Sequence, residues 1–433
     1  MTAPTSAVLA PPNTSQVRSS SRLAGVDGLR AFAALWVLFF HIRAFSGARL
    51  PPGLDLFVRS GSTGVSLFLV LSGFCLYAPF AGGRLGRFRT SDFFRRRCRR
   101  LLPAYYASLV AVLAAHIWAG GRLGFPRLAA GEVLEQAGTH VTLTHQLFPT
   151  TFYGLNGAYW SLGLEWELYL ALPLLVLAVR RFGIWRTLAV VAGVTVTYRL
   201  ALAAADAAGA SGGGGLWATV VLPNIFLGRW SEFALGMCAA ELHSRGLAGR
   251  WLRPITVAAL LAAAVGLLVP NNPLSHVFFG VVFFALLCGV LSRGSRIAAI
   301  FSWRPLATIG VMSYSLYLVH QPLVEAAAAL GAGLGRSPGQ VFVGLLVLLP
   351  LFLAVAWLLF VVVERRTLRP ESVDDGWPRR LLFPRPPFRL RTVIRRRFSR
   401  ASRPIFTRAF KPAIHCEESA AAGAHDGQVV RSK

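Results

Sequence analysis

The chain has 433 residues, of which 55% are hydrophobic and 15% are charged. Soluble domains carry about 25% charged residues, so this composition excludes an ordinary soluble protein and favours one that lies mostly in lipid. The formal net charge is +27, from 45 basic and 18 acidic residues. Because the basic residues cluster at the ends of apolar runs and in the C-terminal tail, they are typical of contacts with lipid headgroups, and we expect no nucleic-acid partner.

The cysteines and the first residues argue against two further classes. The five cysteines are scattered singly, without CxxC or cysteine–histidine spacing, and this pattern predicts neither a disulfide framework nor a metal site. The first residues are rich in Pro, Ser and Thr and lack the charged start and apolar core of a signal peptide. We therefore expect residues 1–22 to form a disordered cytosolic lead.

Apolar stretches long enough to cross a bilayer follow one another along the chain. A bilayer core of about 30 Å takes roughly 20 apolar helical residues. By that measure the sequence predicts an all-α, polytopic bundle of about ten transmembrane helices, near residues 24–45, 61–82, 101–120, 158–179, 186–206, 215–241, 254–270, 274–292, 305–333 and 338–363. We expect residues 23–365 to form this domain and residues 366–433 to form a basic, mostly disordered cytosolic tail.

The arginines between the predicted spans indicate the orientation. The loops after the second, fourth, sixth and eighth spans are rich in arginine, whereas the opposite loops hold far fewer. Since arginine-rich short loops stay on the cytosolic side, the pattern predicts a multi-pass protein of the cytoplasmic membrane with both termini in the cytosol. On the opposite side, residues 121–157 form a loop long enough to fold over the bundle as a cap.

Ionisable residues inside a predicted span are functional candidates, because a charge at membrane depth is costly. In the first span Arg30 and His41 are eleven residues apart. At about 100° per residue, three turns place them on one face, about 16 Å apart along the axis, and Asp27 can reach the same stripe. A neutral imidazole can take a proton from an attacking alcohol, so His41 is a candidate general base. The alternative is that His41 simply caps the helix at the outer interface.

The segment WSLGLEWELYL carries the second candidate. Glu165 lies four residues from both Ser161 and Tyr169, so the three side chains share one face of the predicted helix. A carboxylate in this position could orient an imidazole, as the carboxylate of a catalytic triad does. The alternative is a structural ion pair with an arginine such as Arg229.

Two further segments place small or polar residues in mid-span. Ser313, Tyr317 and His320 recur at helical spacing in SYSLYLVHQPL, and this stripe is too polar to face lipid. Substrate binding and an interhelical ladder of hydrogen bonds explain these residues equally well. In FLVLSGF, Ser72 and Gly73 occupy positions where small residues usually allow close helix packing.

An arginine-rich cluster, FFRRRCRRLLPAYY, precedes the third span. The preference of cytosolic loops for positive charge accounts for several of these arginines. A nucleotide-bearing acyl donor would also need them, because guanidinium groups bind phosphates through two parallel hydrogen bonds.

Taken in order, the segments DGLRAFAALWVLFFH, FLVLSGF, RRRCRRLLPAYY, WSLGLEWELYL and SYSLYLVHQPL resemble the membrane acyltransferase-3 family over residues 23–365. The spacing of Arg30 and His41 resembles the signature pair of that family. Glu165 matches the acidic residue of its WSL-type segment, and its RRxxR motif resembles Arg96, Arg97 and Arg100.

The resemblance implies an integral membrane O-acyltransferase. Such an enzyme moves an acyl group, acetyl or another short chain, from cytosolic acyl-coenzyme A to a hydroxyl of a glycan or a glycosylated metabolite. His41 and Glu165 would be catalytic, and no metal is implied. The donor phosphates would contact Arg30, Arg96, Arg97 and Arg100. Substrate binding or structural hydrogen bonding would fall to Ser72, Tyr169, Ser313, Tyr317 and His320.

Two departures from the family pattern bear on these expectations. Trp166 and Glu167 replace the usual Glu-Gln after the key acid, which leaves Glu165 as the safer assignment. No esterase-like domain is expected after the last span, so the partner domain that some relatives use would be missing. A transporter that exports a polar or acylated metabolite is the alternative function, since polar stripes in a helical bundle also suit a translocation path, although we find no internal symmetry.

Overall fold

The structure is a computed structural model, and it describes residues 14–367 except 122, 210–214, 270–271 and 293. Within those ranges the chain is helical and contains no β-strand. The first helix begins at Thr14 and so extends into the predicted lead. Most of that lead, residues 1–13, and the predicted tail from residue 368 onward lie outside the described residues.

The helices are numbered in chain order. The first eight are α1 (Thr14–Ser46), α2 (Pro52–Arg59), α3 (Gly64–Tyr77), α4 (Thr90–Ala119), α5 (Ala130–Val141), α6 (Trp160–Phe182), α7 (Ile184–Ala207) and α8 (Phe226–Ser244). The next eight are α9 (Leu252–Leu268), α10 (Ser275–Leu291), α11 (Arg296–Phe301), α12 (Arg304–Val311), α13 (Ser313–Gly333), α14 (Pro338–Val347), α15 (Leu349–Leu359) and α16 (Arg365–Thr367). A π-helical turn, Phe360–Glu364, joins the last two.

Five helical segments of the described chain are long and apolar enough to cross a membrane: Ala24–Ser46, Pro52–Phe80, Thr90–Ala119, Gly157–Phe182 and Ile184–Ala207. A sixth arises if the pair Pro338–Val347 and Leu349–Thr367, bent by 47°, counts as one span. Pro350 lies in the first turn after this bend, and its missing N–H breaks the helical hydrogen-bond ladder there.

The predicted count of ten membrane spans is not confirmed by these lengths. Each remaining predicted span corresponds to helix, but α9 and α10 have only 17 residues each. Helix α8 is longer and carries three buried charged residues, Arg229, Glu232 and Glu241. The predicted span 305–333 is two helices, because the chain leaves helical geometry at Met312 between α12 and α13.

Glycines let two pairs of helices approach backbone to backbone. A Cβ atom added to Gly73 on α3 would overlap the backbone oxygen of Phe233 on α8, and one added to Gly236 would overlap that of Val70. The crossing of α1 and α12 is equally close, since a Cβ on Gly310 would overlap the oxygen of Asp27. Close contact through small residues is the usual packing device of membrane helices. The predicted packing role of Gly73 is confirmed.

We expect Gly73→Ala to destabilise the folded protein by about 1–3 kcal/mol, because the added methyl group must push α3 and α8 apart. Thermal unfolding of the detergent-solubilised protein, followed by circular dichroism, measures the change. Gly193→Ala on α7 is the matched control, because nothing lies within 4 Å of its added Cβ. Equal unfolding temperatures for the two variants would contradict the packing argument.

Candidate active site

A cavity of about 100 Å³ lies among α1, α3, α4, α6, α12, α13 and the π-helical turn that ends the last long helix. Apolar side chains such as Phe68, Leu101 and Leu162 form part of its wall. Its polar lining comes from residues far apart in sequence: Arg30, Ser72, Arg97, Arg100, Ser161, Glu165, Tyr169, Ser313, Tyr314, Tyr317 and Glu364. The polar segments that the sequence singled out therefore converge on one cavity.

Most of the predicted site residues share this cavity. It brings together Arg30, Arg97, Arg100, Glu165, Ser72, Tyr169, Ser313 and Tyr317. The three others do not line it: Arg96 is exposed, whereas His41 and His320 contact each other at a separate position.

Helical geometry explains why Arg96 is apart from its neighbours. Arg97, Arg100 and Leu101 line the cavity from α4. At about 100° per residue these three positions cover one side of the helix, and Arg96 falls about 90° from the middle of that side. Two of the three arginines in the RRxxR motif therefore face the cavity.

Glu165 is the centre of a small hydrogen-bond network. Its Oε1 atom accepts a hydrogen bond from the Ser72 hydroxyl at 3.0 Å and another from the Tyr169 hydroxyl at 2.5 Å. Tyr169 lies one helical turn along α6, as the spacing predicted, and Ser72 comes from α3. These donors hold the carboxylate in the cavity wall. Among the described residues, the partner of the His41 ring is His320 rather than Glu165.

The alternative partner for Glu165, Arg229, is occupied elsewhere. The Arg229 guanidinium donates two hydrogen bonds to Glu232: Nε lies 2.6 Å from Oε2, and Nη2 lies 3.0 Å from Oε1. The same guanidinium donates to Asn224 and Ser66. The hypothesis that Glu165 pairs with Arg229 is therefore wrong.

The arginines of the cavity differ in their contacts. Arg30 forms a loose ion pair with Asp27, with 3.9 Å between Nη1 and Oδ1. The guanidinium of Arg97 lies 6.0 Å from the centre of the Phe93 ring, and its buried Nε–H has no hydrogen-bond partner among the described residues. A buried donor without a partner is costly, so the site favours an anion that would accept this bond.

Two cavity residues were missed by the sequence analysis, Tyr314 and Glu364. The Tyr314 hydroxyl donates to the backbone oxygen of Leu101 at 3.0 Å. Glu364 is buried and accepts a hydrogen bond from Ser315 at 2.6 Å. An acidic residue at the end of the last apolar run, just before two arginines, was the available signal for Glu364. Tyr314 is one position away from the polar stripe and gave no such signal.

His41 and His320 form a pair outside the cavity. The Nε2 atom of His320 lies 3.2 Å from Nδ1 of His41, and the ring planes meet at 64°. His320 is buried, whereas His41 is partly exposed and also contacts the rings of Phe40 and Phe45. His41 is therefore turned towards protein on one side and is open to an approaching group on another.

Tyr317 connects the cavity with the histidine pair. It lines the cavity, and its hydroxyl lies 2.7 Å from that of Ser161 and 3.1 Å from the backbone oxygen of Ala158. Its ring centre lies 5.3 Å from that of His320. Tyr317 therefore contacts both the polar cavity and the histidine pair.

The loop predicted as a cap contains α5 and packs on the site helices. Gln146 donates to Glu167 on α6 at 2.9 Å. Asn156 donates to the backbone oxygen of Leu318 on α13 at 3.0 Å. The Tyr105 hydroxyl on α4 donates to the backbone oxygen of His140 at 2.9 Å. These bonds tie the loop to three helices that line the cavity.

Two buried histidines stack within this loop. The rings of His140 and His145 are 4.1 Å apart and nearly parallel, and both side chains are fully buried. Burial, with a smaller contribution from the His145 charge, lowers the pKa of His140 to about 3. Burial also lowers the pKa of His145 to about 4. Both rings are therefore neutral at pH 7.

We expect acid to loosen the loop. The histidines of the unfolded loop take up protons near pH 6.5, whereas those of the folded loop do not. The free energy of unfolding of the loop therefore falls as the pH drops from about 6.5 towards 4. The decrease is at most about 1.4 kcal/mol per pH unit for each ring. Amide hydrogen exchange over 130–147, corrected for intrinsic rates, should be faster at pH 5 than at pH 7. His140→Phe and His145→Phe together should remove this dependence. Equal protection at the two pH values would contradict the prediction.

The fold and the site define an integral membrane protein with a polar, guanidinium-lined cavity inside a helical bundle. The sequence model of the acyltransferase domain matches residues 23–361. The chain belongs to the acyltransferase-3 family, and it is an acyltransferase of the kind that transfers groups other than aminoacyl groups.

Three relatives illustrate the similarity. The acyltransferase MdmB of Streptomyces mycarofaciens is 30% identical over 377 residues, which cover 80% of this chain and 92% of MdmB. The O-acetyltransferase OatA of Staphylococcus aureus is 24% identical over 70% of this chain and 50% of OatA. YrhL of Bacillus subtilis, whose name gives peptidoglycan O-acetylation as a proposed activity, is 27% identical over 69% of this chain and 48% of YrhL. The chain thus spans about half the length of the last two, and no solved structure matches it.

Proposed function

We propose that this acyltransferase moves an acetyl or other short acyl group from acyl-coenzyme A to a hydroxyl of a glycan or a glycosylated metabolite, with His41 as the general base. The observation that carries the proposal is a chain of contacts: Tyr317 lines the arginine-lined cavity, its ring centre lies 5.3 Å from that of His320, and His320 contacts His41. Membership in an acyltransferase family gives no support to the alternative of an exporter.

The positive charge of the cavity supports binding of the acyl donor there. Three guanidinium groups, those of Arg30, Arg97 and Arg100, face one cavity. Guanidinium groups bind phosphates through charge-assisted, bidentate hydrogen bonds, and coenzyme A carries several phosphates. The arginine-rich side of the bundle is the cytosolic side by the positive-inside rule, where acyl-coenzyme A is available.

Two relatives, OatA and YrhL, carry names that describe O-acetylation, and this supports acetyl or another short acyl group. The rest of a coenzyme A molecule would extend towards the arginines and the cytosol. In this arrangement the ten predicted helices all belong to the membrane domain, both termini are cytosolic, and the bilayer is the cytoplasmic membrane.

We expect Arg97→Ala to raise the KM for acetyl-coenzyme A about tenfold or more, because a charged hydrogen bond to the donor is lost. Initial rates of the purified enzyme at varied donor concentration measure the change. Arg99→Ala is the matched control, since Arg99 is exposed on the same helix turn and does not line the cavity. If both variants kept the wild-type KM, the arginine cavity would not hold the donor.

His41 supplies the base that the transfer needs. Its unprotonated ring nitrogen takes the proton of the acceptor hydroxyl while the oxygen forms a bond to the thioester carbonyl carbon. The carbon–sulfur bond then breaks, and the leaving thiolate takes the proton back from the imidazolium. Glu165 would stabilise the polar wall of the donor cavity, since Ser72 and Tyr169 already fix its carboxylate.

We expect His41→Ala to lower kcat by about 10²–10⁴-fold, the usual contribution of a general base. The purified, detergent-solubilised enzyme is incubated with ¹⁴C-acetyl-coenzyme A and a panel of glycosides and peptidoglycan fragments, and acylated products are separated and counted. Turnover needs neither sealed vesicles nor a membrane potential if the protein is an enzyme of this kind. His116→Ala, on a buried histidine remote from the cavity lining, is the control and should keep wild-type activity. Full transfer by His41→Ala would exclude His41 as the base.

A further inference from the structure

The contacts of His41 and His320 define the proton on each ring. Nδ1 of His41 lies 2.9 Å from the backbone oxygen of Val37, and Nδ1 of His320 lies 2.8 Å from that of Tyr317. A carbonyl oxygen can only accept a hydrogen bond, so each Nδ1 must carry a proton. Each neutral ring then has its unprotonated nitrogen at Nε2.

This assignment makes His320 an acceptor for His41. The unprotonated Nε2 of His320 lies 3.2 Å from Nδ1 of His41, close enough to share the N–H that also points at Val37. The remaining ring nitrogen of His41, Nε2, is left unprotonated, which is the form that a general base requires. The contacts with two backbone oxygens and one imidazole are therefore all satisfied by the same tautomer, with the proton on Nδ1 of each ring.

We propose that His320 is a positioning residue for His41: it fixes the reactive tautomer and stabilises the imidazolium that forms when His41 takes a proton. The inference rests on the proposed function of His41. As the ring becomes positive, its Nδ1–H donates more strongly, and the neutral Nε2 of His320 receives that bond. His320 thereby fills the place that a carboxylate occupies in a catalytic triad.

The structure favours this role over simple packing. His320 is 1% exposed in an apolar part of the bundle, and a leucine would fill that space without the cost of burying a polar ring. His116 shows what a packing histidine looks like here: it has the same backbone bond, from Nδ1 to the oxygen of Val112 at 3.0 Å, but its ring lies against Phe125. His320 instead has its second nitrogen aimed at the proposed base.

Matched substitutions separate positioning from packing. A glutamine amide reaches the position of the imidazole Nε2, whereas an asparagine amide reaches only that of Nδ1. The His320→Gln side chain can therefore accept the hydrogen bond from His41. The His320→Asn side chain is also polar, but it is too short to accept that bond. His320→Leu removes the acceptor altogether, and His116→Leu controls for loss of a buried imidazole. Each full-length variant is first checked for folding by size-exclusion chromatography and thermal unfolding.

Rates with acetyl-coenzyme A and an acceptor from the glycoside panel test the proposal. We expect His320→Leu and His320→Asn to lower kcat about 10- to 100-fold, as loss of a hydrogen bond to a charged group does, with both KM values within twofold of wild type. His320→Gln should recover most of that loss, and His116→Leu should match wild type. In a His41→Gln background, His320→Leu should cause no further loss. If His320→Leu fails to fold, the comparison of His320→Gln with His320→Asn still tests the positioning role.

Each other outcome has a distinct meaning. A kcat for His320→Asn equal to that of wild type, or a His320→Gln enzyme no faster than the Asn variant, would overturn the positioning role while leaving His41 as base. A further loss from His320→Leu in the His41→Gln background would also overturn it, since His320 would then act on its own. Full activity of His41→Gln alone would instead remove the general base of the proposed function, and the role of His320 with it.

Discussion

The cost of placing charge inside a lipid bilayer controls the architecture of this enzyme. A buried ion needs an opposite charge and hydrogen bonds, or the fold does not tolerate it. Arg229 meets that requirement within the bundle, through Glu232, Asn224 and Ser66. Arg97 lines the cavity, and its buried Nε–H has no hydrogen-bond partner within the part of the chain that the structure describes. The two arginines therefore differ: the first holds helices together, and the second is the one to which we assign, as a proposal, an anionic substrate.

The sequence predicted those parts of the site that lie along a single helix. Helical spacing correctly placed Tyr169 beside Glu165, since residues four apart share a face. It also correctly placed Arg30 within reach of Asp27. The ordered motifs predicted the acyltransferase family, and the family model matches the same stretch of chain.

Contacts between helices could not be predicted, because they depend on how each helix is rotated and how far it slides along its neighbour. Ser72 could be assigned to packing or to binding, but the sequence did not show that its hydroxyl would meet Glu165. The partner of His41 was open for the same reason, and it proved to be His320, across 279 residues of chain. The number of membrane-spanning helices could not be predicted reliably for a related reason: a run of apolar residues does not reveal the break at Met312 or the bend at Pro350.

The layer around Tyr317 has a consequence for the membrane itself. Val37, Ala158 and Tyr317 form a small buried apolar cluster, with Phe68 and Leu162 packed against it. Tyr317 lines the cavity that holds the guanidinium groups, and its ring also lies near His320, the neighbour of the partly exposed His41 imidazole. An uninterrupted polar path between them would conduct protons and small ions and so dissipate the gradient that the cell maintains. In the proposed mechanism this cluster would act as an electrical insulator, and a motion that passed an acyl group through it would have to close around that group to prevent leakage.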